Sequence, residues 1–303
     1  MTKESSLELV SVVIPCYKQA HFLGHAIESV LNQTVQSHEI IVVDDGSPDE
    51  TQAVATRYPT VRYVCQTNQG LSAARNTGLQ HARGAFVVFL DADDRLLPNH
   101  FLVSRKAFRR RPEAAFVCGN YRFVGDEQAT HRHDCRPQPD HYGTLLRSNF
   151  IGPPHTVMFR REAVIRSGGF MTTLNSCEDQ DMYLRIARTA AVYCHHEVIA
   201  EYRRHTSQMS QKWEVMLDTA MAMLQSQWRY VKGKPDHEDA WRAGMSFRQG
   251  LYGPALTWTM VASARSGDWS RALRCLGVLL RWYPKGLALL ISHKLSRVYE
   301  PAA

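Results

Sequence analysis

The stretch GAFVVFLDADDRLLP, residues 84–98, runs an apolar segment directly into three carboxylates, Asp91, Asp93 and Asp94. A continuous apolar run of this length is typical of a strand that is buried on both faces of a parallel sheet. Three acids so close together repel one another unless a positive charge joins them. The stretch therefore predicts a buried strand that ends at a binding edge, where a divalent cation carrying a phosphorylated ligand would offset the repulsion.

The chain before this stretch alternates strand-like and helix-like segments. SPDETQAVATRY (47–58) predicts a helix with Ser47 as N-cap, Pro48 at the first position and Glu50 closing a capping box. The alternation predicts an α/β fold, a doubly wound and mostly parallel sheet with helices on both faces. The other segments are the strand-like LELVSVVIP (7–15), EIIVVDDGS (39–47) and VRYVCQ (61–66), and the helical HFLGHAIESVLNQ (21–33) and LSAARNTGLQHA (71–82).

Polar or turn-forming residues follow each of the four predicted strands. They are residues 15–17, 44–46, 68–70 and 91–94. In a sheet of this kind, ligands bind outside the carboxyl ends of the strands. We therefore expect these four segments to meet at one crevice.

The rest of the chain divides into an irregular part and a helical part. Residues 121–150 lose periodicity and predict a long loop. A strand, a short helix and a Gly-Gly turn are predicted over 155–170, and a polar turn opening a helix over 175–190. From about residue 211 the spacing is helical. We expect a catalytic domain over 1–210 and a helical C-terminal region over 211–303.

Composition bounds the partners and the compartment. The 303 residues carry a formal charge of +7 and a pI of about 9.1, which permits attraction to phosphorylated ligands or anionic lipid. Seven cysteines without a CxxC pair predict free thiols and a reducing compartment. The N-terminal stretch lacks the apolar core of a secretory signal. We expect a cytoplasmic protein at the inner face of the plasma membrane, without a nucleic-acid partner.

Five stretches follow one another along the chain: SVVIPCYKQAHFLGHAIESVLNQT, EIIVVDDGSPDET, NQGLSAARNTGL, FLDADD and SCEDQDMYLRIA. In this order they resemble the family 2 glycosyltransferases of the GT-A fold. The resemblance covers residues 8 to about 210 and implies an inverting enzyme that moves a sugar from a nucleotide diphosphate, here a UDP-sugar, to a glycan or lipid-linked acceptor. It also implies a divalent cation, Mg²⁺ or Mn²⁺, and a place in the synthesis of envelope polysaccharide.

The same resemblance implies roles for individual residues. On the acceptor side, Asp179 resembles the general base, with Glu178 beside it. On the donor side, Asp91 and Asp93 form the DxD motif with Asp93 as direct metal ligand, and His205 approaches the metal or the diphosphate. The remaining implied contacts are Pro15 and Tyr17 with the base, Asp45 with the uracil imide hydrogen, and Arg75 with the phosphates.

Alternatives to these roles remain open on the residues alone. Ser176 and Asp179 have the spacing of a capping box, so Asp179 is equally well a helix cap, and Asp181 competes with it as base. A sugar-1-phosphate nucleotidyltransferase or a nicotinamide oxidoreductase needs a glycine-rich loop after the first strand, and IPCYKQAHFL has none. A binding or scaffold protein that keeps the fold without turnover is the remaining alternative.

The C-terminal segment is basic and amphipathic. Trp269 and Trp282 accompany helical apolar spacing, and few acids offset its cations. Such a segment either lies in a membrane interface or packs on the catalytic domain with its charges solvated. Its cations are Arg271, Arg274, Arg281, Lys285, Lys294 and Arg297.

Overall fold

The computed structural model describes residues 9–125, 132–133, 139–205 and 212–291, with the backbone alone for 132–133 and 289–291. The strands are β1 Val10–Cys16, β2 His38–Asp44, β3 Val61–Cys65, β4 Phe86–Phe89, β5 Arg95–Leu96, β6 Phe116–Val124, β7 Arg132–His133, β8 Val157–Arg160 and β9 Val192–Arg203. The helices are α1 Ala20–Leu31, α2 Thr51–Ala55, α3 Leu71–His81, α4 His100–Arg110, α5 His141–Arg147, α6 Arg161–Arg166, α7 Glu178–Ala187, α8 Trp213–Ser226, α9 Trp228–Val231, α10 Pro235–Arg265, α11 Trp269–Trp282 and α12 Pro284–Ile291, with a 3₁₀ turn at Pro154–Thr156.

One mixed sheet organises the first two thirds of the chain. Its order is β3-β2-β1-β4-β8-β6-β9-β5, with β7 beside β6. The first four strands are parallel, and β8 runs antiparallel to both of its neighbours. The predicted α/β class is confirmed, since helices cover both faces of the parallel half. On β1, Val12 shares a core with Leu23 of α1, whereas Val13 faces Gly78 of α3.

The strand register brings the predicted polar segments to one edge. Cys16, at the end of β1, pairs with Asp44 at the end of β2, and the N–H of Asp45 donates to the Cys16 carbonyl over 2.9 Å. On the other side of β1, the N–H of Leu90 donates to the Val13 carbonyl over 2.9 Å. The acidic segment after β4 therefore begins beside the ends of β1 and β2.

Gly78 allows α3 to pack directly on β1. A Cβ atom at this position would overlap both methyl groups of Val13, which is fully buried. We expect Gly78→Ala to lower the free energy of unfolding by about 1–3 kcal/mol, because an extra carbon in a packed core forces side chains or backbone apart. The measurement is the urea midpoint followed by fluorescence.

The matched control is Gly250→Ala on an exposed face of α10, where nothing lies within 4 Å of the new carbon. That change should be neutral or stabilising by up to about 1 kcal/mol, since alanine favours helix. Equal midpoints for the two variants would show that the α3–β1 contact is looser than described.

The capping box predicted at Ser47 is wrong. The helix begins at Thr51 with Glu50 as N-cap, and the side chain that accepts from the N–H of Thr51 is that of Asp49, over 3.3 Å. Ser47 Oγ instead accepts from the N–H of Lys18 over 3.2 Å, and Asp49 Oδ2 accepts from the N–H of Ala20 over 3.0 Å. The polar residues of this segment tie it to the loop after β1, a long-range use that local spacing cannot reveal.

Two further expectations need correction. Residues 121–150 are not one loop, because β6 continues to Val124 and α5 occupies His141–Arg147; 126–131 and 134–138 lie outside the described residues. The expectation of free thiols is wrong for Cys118 and Cys194, which the structure joins across the adjacent strands β6 and β9. Cys135 lies outside the described residues.

The described chain separates into two compact units. The first comprises the residues up to Leu145 with Asn149–Leu174 and Glu178–His205, and the second comprises Leu146–Ser148, Asn175–Cys177 and the helices from α8 onward. The second unit has its own core, which includes Leu217, Leu256 and Leu279. Among the described helices, none combines the length and the apolar content that a membrane crossing requires.

Candidate active site

Arg75 supplies a positive charge between two carboxylates, those of Asp91 and Glu178. Its side chain, 1% exposed, lies on α3 and donates from Nη2 to Asp91 Oδ1 over 2.6 Å and from Nη1 to Glu178 Oε1 over 2.5 Å. Burial alone would lower the pKa of Arg75, but Asp91 and then Glu178 outweigh it and raise that pKa. The predicted phosphate contact of Arg75 stays a prediction, since both partners seen here are carboxylates.

The structure places His205 next to Asp93, and the role of both in metal binding stays a prediction. His205 Nε2, just beyond the end of β9, lies 2.8 Å from Asp93 Oδ2, and Gln19 Nε2 donates to the same oxygen over 3.2 Å. The His205 ring also stacks at a tilt on Phe22 of α1, with ring centroids 5.4 Å apart. Asp93 is therefore held by groups from two other segments of the chain.

Asp94 anchors the acidic segment to β9. Its buried carboxylate accepts from the N–H of Arg203 over 2.7 Å, and its other oxygen lies 3.2 Å from His155 Nδ1, although that approach is not aligned as a hydrogen bond. Arg203 Nε donates in turn to the Asp93 carbonyl over 3.0 Å. Since His205 is two residues beyond Arg203, these two bonds hold the chain near His205 against the acidic segment.

Burial shifts the pKa values of Asp94 and of His155 beside it. Desolvation first, and then the charges of Asp93 and Asp91, raise the pKa of Asp94 well above its ordinary value. Desolvation likewise lowers the pKa of the fully buried His155 to about 4, so its imidazole is neutral at physiological pH.

Asp179 is the one acid at the start of α7 without an ion pair among the described residues. Glu178 is held by Arg75, and Asp181 by Arg185 Nη2 over 2.7 Å. Desolvation and the neighbouring charge of Glu178 raise the pKa of Asp179 from 3.8 to about 7, against the opposing charge of Arg75. Its Oδ1 accepts from the N–H of Gln180 over 2.6 Å. A carboxylate in this state suits proton abstraction near neutral pH.

The capping box considered for this helix is not formed. Ser176 Oγ is buried and makes no hydrogen bond to any part of the chain that the structure describes. Within the described part of the chain, the one hydrogen bond of the Asp179 side chain is from the N–H of Gln180. Ser176 therefore does not act as a cap, whereas Asp179 still accepts from one N–H group at the start of the helix.

Asp45 organises the loop between β3 and α3. Its Oδ1 accepts from Gln66 Nε2 over 2.8 Å and from the N–H of Gln69 over 2.9 Å, and its Oδ2 accepts from the N–H of Gly70 over 2.8 Å. Gly70 has a φ of +89°, which a side chain would disfavour. The predicted contact of Asp45 with a uracil ring stays a prediction, and the structure adds this loop-holding role.

Pro15 and Tyr17 lie at the end of β1, at the same edge as Asp45. Pro15 is buried and pairs with Val43 of β2, and Tyr17 is 43% exposed just beyond the strand. Lys18 follows with a φ of +59°, so the chain turns sharply after the tyrosine. The exposed ring is available for stacking on a base, which remains its predicted role.

The donor atoms present fit a divalent cation. Asp91 and Asp93 offer carboxylate oxygens, which suit Mg²⁺ and Mn²⁺, and His205 offers an imidazole nitrogen, which is a ligand for transition metals rather than for Mg²⁺. Asp91, Asp94 and His155 have ligand atoms within 4.8 Å of one another, and the described residues hold no other grouping of three acids or histidines as close. Of the predicted set of Asp91, Asp93 and His205, the structure brings His205 to Asp93. We favour the predicted set, because Asp94 is 1% exposed and already accepts the Arg203 N–H, whereas Asp93 and His205 are partly exposed.

Sequence reasoning missed three contributors to this site. The sequence pattern indicates Asp94 only as one of three crowded acids, and it marks neither His155 nor Gln19. The sequence carries one usable signal, the third acid of DADD at residue 94. Gln19 lies between the first predicted strand and helix and His155 at the start of the predicted segment 155–170, and neither position carries a local signal for this site.

Comparison with known proteins identifies the family. The sequence model of Glycosyl transferase family 2 matches residues 11–168. The chain belongs to this family. An uncharacterized glycosyltransferase of Rickettsia prowazekii is 28% identical over 77% of this chain and 70% of its own length. The Escherichia coli UDP-Glc:α-D-GlcNAc-diphosphoundecaprenol β-1,3-glucosyltransferase is 33% identical over 48% of this chain and 57% of its own.

Two solved structures share the fold of this family 2 glycosyltransferase. S. aureus TarS in complex with UDP has a TM-score of 0.64 at 18% identity, covering 90% of this chain and 91% of its own. A mannosyltransferase from Pyrobaculum calidifontis, in complex with GDP-Man and Mn²⁺, has a TM-score of 0.62 at 19% identity, covering 96% and 81%. At these identities the likeness establishes the fold, and the expected GT-A architecture is confirmed.

Proposed function

We propose that this glycosyltransferase inverts the anomeric centre as it moves a sugar from a UDP-sugar to a hydroxyl of a glycan or lipid-linked acceptor, with the help of a divalent cation. The observation that carries the proposal is the position of Asp179, a carboxylate without an ion pair among the described residues that directly follows Glu178 of the buried Arg75–Glu178 pair. It supplies one base next to a fixed cation. Glu178, predicted as a further catalytic residue, acts through Arg75 and through the pKa of Asp179.

Inversion needs one base on the acceptor side. Asp179 takes the proton of the acceptor hydroxyl as that oxygen attacks the anomeric carbon from the face opposite the diphosphate, and the bond from the anomeric carbon to the diphosphate oxygen breaks. The electron pair of that bond leaves with the nucleotide diphosphate. One displacement of this kind requires no covalent enzyme intermediate.

The leaving group requires positive charge. Asp91, Asp93 and His205 would hold Mg²⁺ or Mn²⁺, and such an ion, when bound, neutralises charge that develops on the departing diphosphate. Arg75 fixes the orientation of Asp91, and Asp94 fixes Arg203 next to His205. Asp45, Pro15 and Tyr17 lie at the strand ends where we place the uracil ring.

Relatives support the donor and acceptor classes. The E. coli relative is named for UDP-Glc and for a GlcNAc-diphosphoundecaprenol acceptor, and the TarS structure holds UDP. The P. calidifontis structure holds GDP-Man and Mn²⁺, so guanine is the competing base. We propose a lipid-linked or envelope-glycan acceptor at the inner face of the plasma membrane, reached through peripheral contact by the C-terminal helices.

The rate should depend on the protonation of Asp179. Because a base works only when deprotonated, we expect kcat to fall about tenfold for each pH unit below about pH 6 and to level above about pH 7 to 8. Glu178→Gln removes the neighbouring negative charge and should move the midpoint to lower pH. The measurement is kcat from pH 5 to 9 at saturating Mn²⁺. A profile that is flat to pH 5 would exclude Asp179 as the titrating base.

The assay that tests the function uses defined substrates. Purified chain is incubated with UDP-Glc, UDP-GlcNAc or GDP-Man, with GlcNAc-diphosphoundecaprenol as the trial acceptor and Mn²⁺ or EDTA. We expect release of nucleotide diphosphate and a slower-migrating lipid product with one donor, dependent on Mn²⁺. The same donors are also tested with an envelope glycan extract as acceptor. If the chain binds a donor but transfers no sugar to either acceptor, the binding-protein alternative is favoured.

A further inference from the structure

Helix α11 carries two apolar stripes, and only one of them is buried. Ala272, Cys275, Leu279 and Trp282 point into the core of the second unit. Trp269, Leu273 and Leu280 are 64%, 65% and 59% exposed. With the half-buried Leu276, these three residues have the spacing i, i+4, i+7 and i+11, which places them on one face of the helix. An aligned exposed stripe is not the scatter expected of single surface residues.

The exposed stripe continues into a groove formed with the end of α10. The groove has a volume of about 450 Å³ and an almost wholly apolar lining. Met260, Val261 and Ala264 line it from α10, and Trp269 and Leu273 line it from α11. Together these residues form one apolar surface, the α10–α11 face, which is defined here by Met260, Val261, Ala264, Trp269, Leu273, Leu276 and Leu280.

Cations outnumber acids around the α10–α11 face. Residues 260–291 include five cations and one acid, Asp268. Asp268 is used as the N-cap of α11, where it accepts from the N–H of Arg271 over 3.0 Å. Arg271 and Arg281 pair with acids of α8. The other three, Arg265, Arg274 and Lys285, have no acidic partner among the described residues, and Lys294 and Arg297 lie outside that part of the chain.

We propose that the α10–α11 face docks on an anionic lipid bilayer, with Trp269 and Leu273 in the interface and the unpaired cations at the headgroups. An aliphatic stripe with a terminal tryptophan and flanking arginines matches the chemistry of an interfacial helix. A second copy of this chain fits less well, because it would bring the same cations to the contact. The inference rests on the proposed function only for the reason to be at a membrane, the lipid-linked acceptor.

Vesicle cosedimentation of the full chain tests the proposal. The probes are vesicles of phosphatidylcholine with phosphatidylglycerol and vesicles of phosphatidylcholine alone. We expect binding to the anionic vesicles that weakens with salt, and at least about tenfold weaker partitioning for the double variant W269S/L273S. R274Q should weaken binding to the vesicles that contain phosphatidylglycerol and leave binding to vesicles of phosphatidylcholine alone unchanged.

The matched control is the double variant L102S/I165S, which removes two apolar side chains that are 37% and 49% exposed in the first unit. It should bind vesicles as the wild type does. Unchanged binding by W269S/L273S, or equal binding to neutral vesicles, would overturn the proposal. So would a dimer in sedimentation equilibrium that this variant abolishes without any vesicle binding by the wild type.

UDP binding, measured on the same preparations, separates this proposal from the proposed function. W269S/L273S should bind UDP as tightly as the wild type, because both residues belong to the second unit and the nucleotide residues to the first. Vesicle binding by a chain that binds no nucleotide would leave the membrane face standing and remove the transferase proposal. Nucleotide binding without vesicle binding would remove the membrane face and leave the transferase proposal standing.

Discussion

Asp179→Asn should lower kcat by about 10²–10⁴-fold while the Kd for the donor stays within about twofold of the wild type. The amide keeps the shape of the side chain and its oxygen still accepts from Gln180, but it takes up no proton at neutral pH. Donor binding is preserved because the predicted contacts with base and diphosphate lie on other segments. The measurement pairs steady-state transfer with calorimetric titration of the UDP-sugar.

Asp181→Asn is the matched control on the same helix. Its carboxylate lies 2.7 Å from Arg185 Nη2, so the change removes a partly buried ion pair and should lower the melting temperature. Turnover of the folded fraction should remain near the wild-type value. If Asp181→Asn abolished transfer and Asp179→Asn did not, the base would have been assigned to the wrong acid.

Asp93→Ala should lower kcat/KM by about 10²-fold or more and remove the effect of Mn²⁺ on donor binding. The change takes away the carboxylate that His205 and Gln19 converge on, 2.8 Å and 3.2 Å away. Without that oxygen we expect the cation to lose a ligand and the diphosphate its neutralising charge. Titration of UDP with Mn²⁺ and with EDTA measures the effect.

Asp239→Ala provides the control for charge alone, since Asp239 is 70% exposed on α10 and pairs with Arg242. It should leave both titrations unchanged. An Asp93→Ala protein that binds UDP with the wild-type affinity and the same dependence on Mn²⁺ would remove Asp93 as the metal ligand. The alternative grouping of Asp91, Asp94 and His155 would then become the candidate.

The parallel half of the fold follows from local pattern. Apolar runs such as AFVVFL predict buried strands, and the turn residues after them mark the edge where ligands bind. Parallel register then places Cys16 beside Asp44 without any further information. The position of the site was predictable because it depends on strand ends, which composition and spacing reveal.

The partners within the site were not predictable in the same way. Arg75 meets Glu178 across 103 residues of chain, and Asp94 meets the Arg203 N–H across 109. Such pairs arise from tertiary packing, which the spacing of residues does not encode. Ser47 illustrates the same limit, because a local capping pattern was replaced by a contact with the loop after β1.

The measurement that tests the central claim most directly is titration of the wild-type chain with UDP, in Mn²⁺ and in EDTA. A metal-dependent nucleotide-sugar transferase should bind UDP at least about tenfold more tightly in Mn²⁺, and UDP at 100 times its Kd should add about 2.7 kcal/mol to the stability. No binding of UDP or GDP in either condition would contradict the account, as would equal affinities with and without the metal.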